Sequence, residues 1–269
     1  MNLYQTPGSR VIEWWKPTVR YLLETEVHVY ALAVAACVLL SFFPFLVVIE
    51  SLCRYVLNWP AAIRAIDFVL ADFFPDELVF LKRNLTAVVE TRGPGRYVSL
   101  FLLLFTAQGI FMPLEVALNR AWGVSRNRSY LRVQVVGAGL IFLCGSLVLA
   151  SFLLTAIAGA AGGPAASAVF RASAPPAFIL ALFFVYWLLP NRKIAPVRVL
   201  PAALFVGLLL EGLKYLHLLA WPLVRSRLRL EYGPFYISVS ILLWNFVAAL
   251  IVLAGAEWAS RRSRSVILE

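Results

Sequence analysis

Hydrophobic positions in this chain fill whole stretches instead of marking one stripe: about Val29–Leu57, Tyr97–Leu118, Val133–Ala158, Ala177–Leu189, Val199–Trp221 and Phe235–Trp258. At about 1.5 Å of rise per residue, the fifth stretch reaches roughly 34 Å, enough to cross a hydrocarbon core about 30 Å thick. The pattern predicts an all-α fold, a polytopic membrane helix bundle of six transmembrane helices. Between Asn58 and Arg96 it turns mixed and polar, with two helix-like pieces. Pro60 opens one; Pro75-Asp76-Glu77 opens the other, placing acids at a positive helix end, with Leu78, Leu81, Leu85 and Val88 on one stripe. The stretch ends at Gly93-Pro94-Gly95 and reads as a small helical extramembrane cap between the first two spans.

This gives one transmembrane domain over 29–258, with 58–96 as its outer cap, an N-terminal amphipathic segment over 1–28 and a basic cytoplasmic tail over 259–269. The N-terminal segment mixes Trp14, Trp15, Tyr21, Leu22 and Leu23 with Arg10, Lys16, Arg20, Glu24 and Glu26, as a helix in the headgroup region does; a solvated cytoplasmic segment is the alternative. No cleavable signal peptide is expected, because the first apolar run begins near Val29 and exceeds a signal h-region in length. Within the spans, Pro44 and Pro113 are expected helix breaks, each lacking a backbone donor. Gly137, Gly139, Gly145, Ser146 and Ser151 favour close helix approach in the third span, and Gly159–Pro176 reads as a flexible outer loop.

Hydrophobic residues make up 62% of the chain and charged residues only 14%, where a soluble domain carries roughly a quarter. A net charge of +10 would suit nucleic acid, but the basic residues form short clusters beside apolar spans, the pattern of topology determinants and anionic-lipid contacts. Thirteen Lys and Arg fall on the side of the N-terminus, the second and fourth loops and the C-terminus, against ten on the other side, six of them in the long first loop where the rule has little force. Both termini are therefore expected in the cytoplasm. Arg225, Arg227 and Arg229, read as a fifth outer loop, stand against that orientation or serve a binding role outside the membrane. Cys37, Cys53 and Cys144 lie in or beside apolar spans without metal or disulfide spacing and read as packing residues.

The chemistry on offer lies in the few polar residues at membrane depth. A carboxylate or ammonium inside lipid costs on the order of 2.5–3.5 kcal/mol on insertion scales, so Glu211 and Lys214 should face protein or water, and their i,i+3 spacing lets them pair. Such a pair either holds helices together or serves a polar path. Gln108, Glu115, Asn119 and Asn245 complete the candidate set, with Glu211 and Lys214 expected to line a cavity with Glu115 and Asn245. A metal nuclease would need clustered ligands, yet the only histidines are His28 and His217, and no H-E-x-x-H, G-x-S-x-G or phosphate-cradling glycine loop occurs. No catalytic residue, metal or cofactor is expected.

Several short runs occur in a fixed order: Leu40-Ser41-Phe42-Phe43-Pro44, Ala117-Leu118-Asn119-Arg120-Ala121-Trp122, Tyr186-Trp187-Leu188-Leu189-Pro190-Asn191, Glu211-x-x-Lys214, then Tyr232-Gly233 leading to Leu242-Leu243-Trp244 and Leu253-Ala254-Gly255-Ala256-Glu257. With these the chain resembles, over nearly its whole length, the YihY/virulence factor BrkB family of bacterial inner-membrane proteins, once labelled ribonuclease BN. The resemblance implies a six-helix inner-membrane protein without a settled activity; the nuclease label is regarded as a misassignment, and transport or export has been proposed for members.

The residues leave three function classes open. One is transport of an anionic solute, or handling of an anionic lipid, past the intramembrane polar residues. Another is a structural or partner-recruiting protein, and the third a membrane-embedded enzyme. Membrane lipids and a small anionic solute are the expected partners, with no nucleic acid, and oligomerisation is compatible with the sequence.

Overall fold

A computed structural model describes residues 16–56, 58–73, 78–90, 95–160 and 165–265, and every regular element among them is helical. In chain order these are α1 (16–22), α2 (Thr25–Ser51), α3 (Pro60–Phe73), α4 (Leu78–Glu90), α5 (Gly95–Ala121), α6 (Tyr130–Ala160), α7 (Ala165–Leu188), α8 (Pro196–Tyr232) and α9 (Tyr236–Ser265). Three described runs are long and apolar enough to cross a membrane: Thr25–Val56, Tyr130–Leu147 and Pro196–Arg261. The last contains α8 and α9, folded back where Gly233 takes φ 53°, a conformation that costs a glycine little.

One core joins the end of the bundle where α8 begins, called here the inner end. It gathers Val27 and Ala31 of α2, Leu114 and Leu118 of α5, Leu182 and Tyr186 of α7, Val199 and Val206 of α8, and Leu253 and Ala256 of α9. Gly255 lets three helices meet there: a Cβ at that position would run into Val206 and the Tyr186 hydroxyl, which itself donates to the Val252 carbonyl at 2.6 Å. At the outer end the short helices lie across α2, with Ile66 and Leu70 of α3 and Leu85 and Val89 of α4 packed on Leu46, Val47 and Cys53. Leu81 reaches a third cluster, Trp221, Leu228, Tyr236, Ile237 and Ile241. The inward stripe of α4 thus runs through Leu81, Leu85 and Val89, while Val88 is exposed.

Several boundaries differ from those read off the sequence. Residues 165–176, assigned to an outer loop, are helical: α7 starts at Ala165 and runs through Pro175 and Pro176. Its small residues keep helical dihedrals, so low hydropathy there does not mark a loop. The supposed fifth loop is helical as well, because α8 continues to Tyr232. At 37 residues α8 is roughly 55 Å long, well beyond the hydrocarbon thickness, and its last turns are held by Trp221 and Leu228 in the outer cluster. Likewise α9 extends to Ser265. Pro44 and Pro113 lie inside helices that continue past them, so neither divides its helix in two. Near Pro44, the Ser41 hydroxyl donates to the Cys37 carbonyl. The α2 helix instead loses its regular ladder eight residues on, in a π-turn over Leu52–Val56. The Pro75–Glu77 helix start, Gly93-Pro94, Arg10 to Trp15 and the last four residues lie outside the described residues, as does the side chain of Gln108.

Candidate functional site

Charge at depth survives only where something polar meets it, so the partners of each acid and amide in the spans define the candidate sites. Glu115 and Asn119 stand one turn apart on α5 and are 1% and 0% exposed. Past α5 the chain turns at Gly123, φ 67°, and brings Asn127 and Arg128 back over them. The Asn119 amide donates to Glu115 Oε1 at 3.3 Å and to Asn127 Oδ1 at 3.0 Å, and its own oxygen accepts the Asn191 N–H at 2.6 Å. The Arg128 N–H donates to the same Glu115 oxygen at 3.2 Å, and its guanidinium stands 3.6 Å from it.

That guanidinium also donates to the carbonyls of Leu188 and Pro190, at 3.2 and 3.0 Å, and to that of Leu189. These carbonyls end α7 and have no helical partner; a planar cation with several donors satisfies them together and suits the negative helix end. Asn191 returns a bond to the Arg126 carbonyl at 3.0 Å, and Arg192 donates to that of Trp122 at 3.3 Å. The α5–α6 and α7–α8 loops are thereby knitted into one piece, beside an open cleft of about 310 Å³ lined by Arg120, Ser125 and Asn127. The second oxygen of Glu115 is buried and has no protein donor among the described residues.

A smaller knot holds α1 to α9 at the same end. Thr18 donates to Glu257 Oε2 at 2.7 Å, Arg261 meets Glu257 Oε1 at 2.6 Å, and Arg261 also donates to the Thr18 hydroxyl. Tyr21 enters the inner core from α1, where burial and the nearby Glu24 carboxylate push its hydroxyl pKa up. The N-terminal helix is therefore part of the bundle's packing, with Val19 and Leu23 exposed on its other side.

The pair on α8 is built differently. Lys214 Nζ and Glu211 Oε1 are 3.9 Å apart, and their side chains remain 22% and 28% exposed. Lys214 lies on the stripe that continues through His217 and Trp221, with Glu211 at its edge. His217 is buried between two indoles, its ring centroid 5.1 Å from that of Trp221 and 4.7 Å from that of Trp244. Arg198 and Arg225 bracket the pair on the same helix, roughly 40 Å apart, about the thickness of a bilayer with its headgroups, which sets Glu211 halfway between them.

The structure therefore separates residues that the sequence grouped. Glu115 and Asn119 belong to the inner knot; Glu211 lies roughly 22 Å along α8 from its inner start. The Asn245 amide donates to the Ile241 carbonyl of its own helix at 2.7 Å. Among the described residues no group of three or more His, Cys, Asp or Glu is placed to hold a metal ion. Sequence reasoning did not single out Thr18, Asn127, Arg128 or Asn191, although Asn119 and Asn191 each sit in a run quoted above.

Comparison with known proteins gives the chain's family. The family described as virulence factor BrkB matches residues 18–266. A UPF0761 membrane protein of Pseudoalteromonas translucida is 23% identical over 95% of this chain and 86% of its own length. A UPF0761 membrane protein of Aromatoleum aromaticum is 28% identical over 93% of this chain, which spans 63% of that relative. A protein of Bacillus subtilis named as ribonuclease-like is 22% identical over 81% of this chain and 84% of its own length. No solved structure matches.

Proposed function

We propose that this chain, which belongs to the virulence factor BrkB family, is a six-span bacterial inner-membrane protein that transports an anionic solute or handles an anionic lipid past a polar site at Glu211 and Lys214. The observation that carries this reading is the loose, part-exposed ion pair halfway along α8. Acyl chains cannot solvate those charges, so the exposed sides of both groups need water, a solute or a headgroup. The ammonium supplies the attraction for an anion, and the carboxylate keeps the empty site neutral. Six helices of 24 residues or more among those described, α2 and α5 to α9, support that number of spans. The arginine-rich inner end, with α1 and the last turns of α9 together, is assigned to the cytoplasm.

A non-transporting protein that recruits partners is the competing reading, and the tightly knitted inner loops favour it. The two separate in an untargeted comparison of small molecules and lipids inside and outside cells. Transport or lipid handling predicts that at least one anionic species changes distribution when the protein is removed, and that Glu211→Ala, Lys214→Ala restores nothing. An unchanged profile, or full rescue by the double variant, rejects it.

A further inference from the structure

We infer that the anion route continues outward from Lys214 along one face of α8, past Leu218 to Arg225 and Arg229, and that Arg227 has no part in it. This rests on the reading of Glu211 and Lys214 as the intramembrane site. Because the helix runs unbroken from Pro196 to Tyr232, side-chain directions between residues 214 and 229 follow from its 3.6-residue turn. Position 225 lies three turns above 214, and 218 and 229 fall within the same quadrant; 227 points to the opposite side, and Glu231, the next acid along α8 after Glu211, also lies outside that quadrant. Burial follows the same division: Lys214, Leu218 and Arg225 are half-buried, while Arg227 is exposed.

Arg229 is exposed but held, its guanidinium 5.0 Å from the ring centre of the buried Tyr236. Arg225 and Arg229 stand roughly 16 and 22 Å beyond Lys214 along the axis, so three cations step from mid-membrane to the outer end on one side of one helix. Guanidinium groups grip phosphate or carboxylate with two parallel hydrogen bonds, which suits a solute phosphate, a carboxylate or a lipid headgroup alike. An uncharged or cationic cargo would gain nothing from this arrangement.

The test uses the full chain with Cys37, Cys53 and Cys144 replaced by Ala and a reporter Leu218→Cys, reconstituted in phosphatidylcholine vesicles. It compares rates of modification by a sulfonate-bearing and a trimethylammonium-bearing methanethiosulfonate of similar size. A local potential of about 1 kT per unit charge predicts a preference for the anionic reagent of about 10-fold. Arg225→Gln, Arg229→Gln should reduce it below about 2-fold, Arg225→Lys, Arg229→Lys should keep most of it, and Arg227→Gln should leave it, since its charge lies across the helix in screened solvent. In vesicles with added phosphatidylglycerol, slower labelling by both reagents identifies a lipid headgroup as the occupant, and unchanged labelling a soluble anion. No charge preference, or an equal effect of Arg227→Gln, overturns the inference. A thiol at 218 that reacts with neither reagent while one at 211 does react overturns the outer route alone; silence at both positions removes the intramembrane site with it.

Discussion

At the inner end, the Glu115 oxygen Oε1 is reached by the Asn119 amide, the Arg128 N–H and the Arg128 guanidinium, all inside a wall of loop backbone. Halfway along α8, Glu211 meets one ammonium at 3.9 Å with much of both side chains uncovered. Both sites pair a carboxylate with a base, yet only the first is arranged as a fastening. An ion gripped by several protein donors fixes geometry, even though the second Glu115 oxygen has no protein donor among the described residues; a part-exposed pair at membrane depth leaves one side open to something that comes and goes. Polar residues at depth are therefore better sorted by their exposure than by the mere presence of a partner, and the part-exposed ones are the candidates for function.

Breaking the fastening should have the largest effect. Arg128→Ala strands Glu115 and three carbonyls at once, and losses of about 3–5 kcal/mol follow from removing one member of a buried pair. Thermal unfolding in detergent should show a midpoint far below that of the unaltered protein, or no folded protein at all. Glu115→Gln keeps the Oε1 acceptor and should retain most of that stability; a loss equal to that of Glu115→Ala would show that charge, not hydrogen bonding, holds the knot.

Next comes helix approach in the same half of the molecule. Gly255→Leu must displace Val206 and the Tyr186 hydroxyl, costing about 1–3 kcal/mol by overpacking, readable in the same melts. On α8 the ordering of variants is diagnostic. Glu211→Ala alone removes the carboxylate beside Lys214 and should lower stability by about 1–3 kcal/mol, whereas Glu211→Ala, Lys214→Ala should fold nearly normally and still fail to restore the cellular profile. A double variant less stable than the single one would assign the pair to the fastening class. The smallest effect is expected at Arg227, where Arg227→Gln should change stability by no more than about 0.5 kcal/mol.

Much of the helical architecture was legible because long apolar runs leave a backbone no alternative inside lipid but the helix. What composition misreported was where helices end. Ala165 to Pro176 looked like a loop for lack of large apolar residues, and Arg225 to Glu231 for their charge, yet a helix needs neither hydropathy nor neutrality once it leaves the membrane or packs on a neighbour. Of the site, the Glu211–Lys214 spacing was legible as a local i,i+3 relation. The joining of Asn119 to Asn191 was not, since it spans 72 positions and depends on two loops meeting; the only signal was that both asparagines stand just past or near a helix end in quoted runs. Glu257 was visible as an acid near a span's end, but its partner Thr18 lay in a segment whose composition allowed it to be solvated.

The proposed function requires that the α8 pair meet water, solute or headgroup and not acyl chains. The most direct measurement places a single cysteine at position 211 in the chain lacking Cys37, Cys53 and Cys144, and times its reaction with a membrane-impermeant thiol reagent in intact vesicles. Steady modification is expected, and a second substitution, Lys214→Ala, should slow it for an anionic reagent. Modification only by a lipid-soluble maleimide, with the impermeant reagent inert, would contradict it.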